Sequence, residues 1–317
     1  MERTFRNSDR AQEIVELKKR LGAVILAHNY QPPEVQDVAD FVGDSLELSI
    51  KASQVNAKFI VFCGVDFMAE QAAVINEESI VLHPDPKAMC PMAAMISVED
   101  IREARKQYPK APVVIYVNSP AAVKAEADYI VTSANAVDVV KAIDSDTILF
   151  GPDKHLAEYV AGKTGKKVIP VPEYGYCPIH VKFNADEVMV LKSIYRDCIF
   201  IAHPECPRNV RDLANFIGST SQMIKFVKNN PGKCFLIGTE VGIIHRMIEE
   251  NRDKLFIPAS TSAICEDMKK ITLDKVYNSL KSGAYRVSVD REIATKVRRA
   301  LENTFSILGV EPPWLRK

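Results

Sequence analysis

Short runs of apolar, largely β-branched residues recur along the chain, and each ends in polar side chains. Val24-Ile25-Leu26-Ala27 leads into His28-Asn29-Tyr30, Val113-Val114-Ile115 into Tyr116-Val117-Asn118, and Ile199-Phe200-Ile201-Ala202 into His203-Pro204-Glu205. Such runs predict buried strands. Between them apolar residues return at three- and four-residue spacing, as over 46–55, 68–76 and 101–108, which predicts helices with one buried face. Strands alternating with helices predict an α/β protein with parallel sheets covered on both faces.

The pattern repeats. His28, Tyr116 and His203 stand 88 and 87 residues apart, and Tyr30, Asn118 and Glu205 keep those intervals two positions on. In an extended segment, positions i and i+2 point to the same side. Ser45, Ser133 and Thr220 follow at 88 and 87, Gly64, Gly151 and Gly238 at 87 and 87, and Cys90, Cys177 and Cys265 at 87 and 88. Each glycine is followed two residues later by an acid, Asp66, Asp153 or Glu240. Three homologous α/β domains are therefore expected, over 1–106 with an N-terminal helix, 107–192 and 193–280. The remaining 281–317 contains a strand-like segment at 285–290 and a helix at 291–308, expected to pack back on the first or third domain. Three homologous domains in one chain are expected to surround a pseudo-threefold axis.

In open parallel sheets, ligands gather beyond the carboxyl ends of the strands, where the matched polar residues lie. Ser45, Ser133 and the Gly218-Ser219-Thr220-Ser221 stretch precede helical patterns and read as N-caps, whose free N–H groups suit phosphate or carboxylate. Cys90, Cys177 and Cys265 share the repeat and converge on the axis, where three thiolates favour zinc or an iron-sulfur cluster. Cys63, Cys198 and Cys234 fall in or beside apolar runs and read as core thiols, while Cys206 has no counterpart and reads as a nearby thiol. His28 and His203 are matched and read as functional; His83, His155, His180 and His245 are unmatched and read as structural. Met89, Met92 and Met95 read as gap-fillers around the Cys90 loop.

Composition narrows the classes. With 41 Lys plus Arg against 41 Asp plus Glu, and no basic run interleaved with aromatics, the chain does not read as a nucleic-acid binder. No stretch approaches the 18 or more apolar residues of a membrane span, and no apolar leader follows Met1, so a cytoplasmic protein is expected. Seven cysteines without regular pairing, in a chain large enough to need no staples, do not read as a disulfide framework. Neither GxGxxG nor GxxxxGK occurs, which disfavours dinucleotide oxidoreductases and P-loop enzymes.

Taken together, Ala27-His-Asn-Tyr-Gln with Gly43-Asp-Ser, Gly64-Val-Asp-Phe-Met-Ala-Glu, Ile115-Tyr-Val-Asn-Ser, Thr132-Ser-Ala-Asn-Ala, His203-Pro-Glu-Cys, Gly218-Ser-Thr-Ser and the three spaced cysteines resemble the quinolinate synthase family over about residues 23–268. The resemblance implies three α/β/α domains about a pseudo-threefold axis. It also implies one 4Fe-4S cluster per chain, held by Cys90, Cys177 and Cys265 with one iron left open. The reaction it implies condenses iminoaspartate with dihydroxyacetone phosphate to quinolinate, losing phosphate and two waters. An aspartate oxidase or dehydrogenase would supply the imine.

On that reading Tyr30 and Glu205 shuttle protons, while His28 and His203 position and neutralise the anionic substrate. Tyr116 and Asn118 supply neutral hydrogen bonds, and Ser45, Ser133, Ser219 and Thr220 hold carboxylate or phosphate oxygens. Some relatives carry extra cysteines around the third ligand; Cys265 stands alone here, so no thiol-disulfide switch is expected there. Two other readings of the residues remain: a different 4Fe-4S hydro-lyase, or a non-catalytic iron-sulfur sensor.

Overall fold

The computed structural model describes residues 8–312 and Leu315. Three parallel sheets of four strands carry the chain. The first contains β1 (Ala23–His28), β2 (Phe41–Gly43), β3 (Phe59–Cys63) and β4 (Ile80–Leu82); the second β5 (Val113–Tyr116), β6 (Tyr129–Val131), β7 (Thr147–Gly151) and β8 (Lys167–Pro170); the third β9 (Ile199–Ala202), β10 (Phe216–Ile217), β11 (Cys234–Gly238) and β12 (Leu255–Pro258). Strand order is the same in each: β2-β1-β3-β4, β6-β5-β7-β8 and β10-β9-β11-β12. The predicted strand ends and the α/β class agree with this arrangement.

The helices follow in chain order: α1 (Asp9–Leu21), α2 (Pro33–Val38), α3 (Ser45–Gln54), α4 (Asp66–Ile75), α5 (Val98–Gln107), α6 (Ala121–Lys124), α7 (Ala136–Ala142), α8 (Lys154–Thr164), α9 (Ala185–Ile194), α10 (Arg208–Arg211), α11 (Thr220–Asn229), α12 (Ile243–Glu250), α13 (Glu266–Lys269), α14 (Leu273–Ser282) and α15 (Arg291–Ile307). Among the described residues no helix is long and apolar enough to cross a membrane. The matched glycines end the third strand of the second and third units and follow it directly in the first. At Gly151 a Cβ would stand 2.1 Å from the Val171 carbonyl oxygen, so the close strand contact requires glycine.

Helices α5, α9 and α14 each pack on the sheet that follows in the cycle. Ile101 of α5 joins Val113, Ile115 and Leu149 of the second sheet, Val188 of α9 joins Phe200 and Leu236 of the third, and Val276 and Leu280 of α14 return to Ile25 and Val61 of the first. Each interface thus buries apolar side chains of two units together, and the chain closes on itself. The C-terminal segment packs on the first unit, one of the two expected, and reaches the second as well. Arg286 bridges Leu82 at the edge of the first sheet, and α15 then lies against α4 of the first unit and crosses to α6 and β6 of the second. There the Thr304 hydroxyl donates to the Ile130 carbonyl at 2.9 Å and accepts from its N–H at 3.1 Å, satisfying the outer edge of β6.

Cys63 is a buried thiol, as expected. Cys198 and Cys234, expected to be core thiols, are instead joined as a disulfide with Cα atoms 4.5 Å apart. The register explains the pairing: Phe235 lies opposite Ile199, so the residues one position earlier fall side by side on neighbouring parallel strands.

Candidate functional site

The strand-end loops of all three units meet at one cavity of about 280 Å³. His28, Tyr30, Ser45, Cys90, Tyr116, Asn118, Ser133, Cys177, His203, Glu205, Thr220 and Cys265 all line it. Ser219 does not. It is buried behind the wall, where its hydroxyl donates to Asp44 Oδ2 at 3.1 Å and accepts from the Gln222 N–H at 3.3 Å. Cys206 stays off the cavity, its thiol donating to the Gly238 carbonyl at 3.4 Å. Of the three methionines near Cys90, Met92 lines the cavity and Met89 is exposed.

The expected serine caps are placed differently. Asp44 caps α3, accepting from the N–H groups of Leu46 and Glu47, so Ser45 is the first helical residue and its hydroxyl is released from capping. At the second unit Asn135 precedes α7 and its Oδ1 accepts from the Thr132 N–H at 2.7 Å, leaving Ser133 in the turn before the helix. Only Ser219 is a true N-cap, in a capping box with Gln222. Asp and Asn compete with Ser for these positions, and the adjacent residue then faces the ligand space.

The cysteines are held by one contact used three times. The backbone N–H of Cys90 donates to Asp66 Oδ1 at 3.0 Å, that of Cys177 to Asp153 Oδ2 at 3.0 Å, and that of Cys265 to Glu240 Oε1 at 3.1 Å. These are the acids of the repeated glycine motif. All three thiols are free, and burial pushes each upward, Cys265 to about 11. Without a cation beside them they are neutral. Among the described residues the one trio of His, Cys, Asp or Glu ligand atoms lying within 4.8 Å of one another is Cys177, His180 and Glu205, so the three sulfurs do not close on a single point. Tetrahedral zinc at about 2.3 Å from each sulfur would require sulfurs about 3.8 Å apart. Three free thiols lining one cavity are the soft donor chemistry that an iron-sulfur group takes.

A second set of side chains forms a continuous hydrogen-bonded chain. The Tyr30 hydroxyl lies 2.5 Å from Thr239 Oγ1, Thr239 Oγ1 lies 2.8 Å from His180 Nε2, and His180 Nδ1 lies 2.7 Å from Glu205 Oε2. His180 Nδ1 is also 3.1 Å from Cys177 Sγ. Burial raises Tyr30 well above its ordinary value and keeps its proton on the ring oxygen. Burial works against charge on Glu205, yet His180 Nδ1 and the Tyr116 hydroxyl donate to its carboxyl and it is held below the usual range, so it stands as a carboxylate. The directed sequence is then Tyr30 donating to Thr239, Thr239 to His180, and His180 to Glu205.

His180, unmatched in the repeat and expected to be structural, stands instead at the centre of the site. Its counterparts by interval are Ala93 and Met268, so the repeat conceals it. The signal that could have found it is its position three residues after Cys177. Thr239, between Gly238 and Glu240 of the repeated motif, escapes the sequence reading as well, standing opposite Val65 and Pro152 in the other units.

His28 and His203 share a backbone-fixed tautomer. His28 Nδ1 accepts from the Tyr30 N–H at 3.1 Å, and His203 Nδ1 from the Glu205 N–H at 3.3 Å, which leaves the ring protons on Nε2. Burial lowers both to about 3, so in the unliganded cavity they stand as neutral donors. His203 stacks on His180 with centroids 4.5 Å apart. Tyr116 hydrogen-bonds to Glu205 and Ser133. Asn118 Oδ1 lies buried with no partner in the protein, an acceptor left for a ligand. The ammonium of Lys269 pairs with Glu240 Oε1 at 2.8 Å and donates to the Tyr30 carbonyl at 2.5 Å, so it is committed to the wall.

Comparison with known proteins identifies the family. The family model described as "NadA: Quinolinate synthetase A protein" matches residues 12–306. The chain is 48% identical to the quinolinate synthase of Thermotoga maritima over 297 residues, covering 94% of this chain and 99% of that one. It is 51% identical to that of Pyrococcus horikoshii over 294 residues, 93% and 97% of the two chains, and 50% identical to that of Methanothermobacter thermautotrophicus over 297 residues, 93% and 97%. On its matched length, its strand-end site and these relatives, the chain belongs to the quinolinate synthase family, enzymes of NAD biosynthesis.

Proposed function

We propose that the chain condenses iminoaspartate with dihydroxyacetone phosphate to quinolinate, phosphate and two waters, with a 4Fe-4S cluster held by Cys90, Cys177 and Cys265 and one iron left without a protein ligand. The observation that carries it is the trio of free cysteines around one cavity, each fixed by the same carboxylate contact. When bound, the cluster supplies a Lewis-acidic iron able to take a carboxylate, a nitrogen or a departing hydroxyl. The three domains are proposed to surround a pseudo-threefold axis through the cavity. Identical strand orders and the cyclic packing of α5, α9 and α14 support it.

The protein's own residues bind, orient and move protons. Ser45, Ser133 and Thr220 offer hydroxyls to substrate oxygens, and His28 and His203 donate from neutral rings. Asn118 accepts, which suits an N–H or hydroxyl of the substrate, and Tyr116 orients the Glu205 carboxylate. Tyr30 gives and takes a proton at its hydroxyl, with Thr239, His180 and Glu205 relaying the charge that this creates. Fixing two substrates in one enclosed space converts a bimolecular condensation into an oriented intramolecular one. The imine hydrolyses in water, so an aspartate-oxidising enzyme must deliver it.

The test is iron and acid-labile sulfide on protein purified without oxygen, followed by a quinolinate assay. About four of each per chain is expected, lost in Cys90→Ala, Cys177→Ala and Cys265→Ala, with quinolinate formed only by the loaded wild type. Stoichiometric zinc would remove the cluster, and iron-loaded protein that dehydrates a hydroxy acid without forming a pyridine would assign it to another hydro-lyase.

A further inference from the structure

We propose that Gln36, Lys124 and Arg211 are three equivalent positioning residues that tie neighbouring units together and thereby set the cysteine loops. The inference builds on the reading of Cys90, Cys177 and Cys265 as ligands. The three stand 88 and 87 residues apart, on the short helices α2, α6 and α10 that follow the first strand of each unit. They differ in chemistry, an amide, an ammonium and a guanidinium, yet all are buried, at 5%, 0% and 4% exposure. None lines the cavity, so none touches substrate.

Each donates across a seam to the main chain. Gln36 Nε2 donates to the Gly242 carbonyl of the third unit at 3.0 Å, Arg211 Nη1 to the His155 carbonyl of the second at 2.5 Å, and Lys124 Nζ to the Phe67 carbonyl of the first at 3.4 Å. The Lys124 tie is reinforced at 2.9 Å by Gln71 Oε1 on the same helix, α4, and that of Arg211 at 2.7 Å by Glu158 on α8. The acceptors at 67, 155 and 242 keep the intervals 88 and 87. First reaches third, third reaches second and second reaches first, so the ties close into a ring.

The acceptors identify what the ring controls. Phe67, His155 and Gly242 lie one or two residues beyond Asp66, Asp153 and Glu240, the acids that hold the backbone N–H groups of Cys90, Cys177 and Cys265. On the donor side, the two Gln36 amide hydrogens are shared between Gly242 and the Asn29 and Gln31 carbonyls at 3.2 and 2.8 Å, flanking Tyr30, and Arg211 holds the Pro204 carbonyl at 2.9 Å, beside Glu205. In Gln36 and Arg211 one side chain therefore ties an acid-base loop of its own unit to the cysteine bracket of a neighbouring unit. The feature the three share is an N–H donor and not a charge.

The pairing makes the test specific: Gln36 governs Cys265, Lys124 governs Cys90 and Arg211 governs Cys177. Full-length Gln36→Met, Lys124→Met and Arg211→Met keep an unbranched buried chain and remove the donor. Two readouts follow, iron release to a chelator from the loaded protein and the alkylation rate of each cysteine, by mass spectrometry, after iron is removed. Release is expected to accelerate at least fivefold, with alkylation rising at least fivefold at the paired cysteine and less than twofold at Cys63, which reports general loosening. Arg211→Lys and Lys124→Gln, which restore a donor as found at a counterpart, are expected to return both rates to within twofold of wild type. Equal rises at all cysteines including Cys63, or no rise at the paired one, would overturn the proposal. A variant that fails to fold leaves the decision to the donor-restoring pair, which must then match wild type at the paired cysteine. Wild-type protein without iron would refute the cluster reading while the alkylation pattern still decides this one.

Discussion

Around the cavity, the cysteine brackets and the Tyr30–Thr239–His180–Glu205 chain are built in opposite ways. Each bracket is the same contact three times, an acid two residues after a strand-end glycine accepting from a cysteine N–H. The hydrogen-bonded chain takes one residue from the first unit, one from the second and two from the third. At none of its positions do the other units supply the same residue: Ala93 and Met268 stand opposite His180, and Val65 and Pro152 opposite Thr239. Threefold repetition suits a group that needs three like donors. A proton relay needs unlike groups along its length, which three like parts do not provide, so the proposed acid-base groups arise where the repeat is broken.

The largest expected effect comes from cutting the unrepeated set. His180→Ala removes the link between Thr239 and Glu205, and kcat for quinolinate formation should fall by about 10²- to 10⁴-fold, the usual contribution of positioned acid-base groups. Iron content should stay within a quarter of wild type. Ala93→Ser, at the equivalent position of the first unit and off the cavity, should leave kcat within twofold. Loss of iron in step with kcat in His180→Ala would place that residue among the scaffold, and the contrast would collapse.

An intermediate effect is expected from the repeated set. Asp66→Ala, Asp153→Ala and Glu240→Ala each leave a cysteine N–H without its acceptor, a loss of about 1–3 kcal/mol at a buried site. Iron retention should drop in all three, and activity should fall in proportion to iron, with the kcat of loaded molecules preserved. Asp153→Ala and Glu240→Ala should be more damaging than Asp66→Ala, because Asp153 also caps α8 through the Leu156 N–H and Glu240 also accepts from the Gly242 N–H and pairs with Lys269. A change confined to one variant would show that the three brackets are not equivalent.

The same contrast explains how much of the molecule is legible in the chain. Strand ends, the helices at 45–54, 66–75 and 291–307, and the three cysteines are legible because apolar periodicity and fixed intervals are local or repeated signals. His180 is hidden by the very filter that finds the cysteines, since demanding a counterpart discards whatever is unique. Ser45 is recognisable at the correct place for the wrong reason, because Asp44 outcompetes it for the cap. The crossing of α5, α9 and α14 to the next sheet cannot be read at all. An amphipathic stripe such as Val276 and Leu280 states that a helix is buried, and not which of three similar sheets buries it.

The smallest expected effect belongs to a residue that imitates the site in sequence only. Cys206 follows Glu205 directly, and it matches Gln31 and Ser119 by interval, so its chemistry points toward the metal site and the repeat points away from it. The structure turns its thiol to the Gly238 carbonyl inside the third unit's core, where it packs with Phe200, Val210 and Leu236. Cys206→Ala should therefore leave iron content and kcat within twofold of wild type, and cost stability only through the sulfur removed from the core, about 1–2 kcal/mol in denaturant midpoint analysis. Iron loss in this variant comparable to that in Cys177→Ala would mean that a fourth thiol joins the three repeated ones, and that the repeated donor set is not the whole of the metal site.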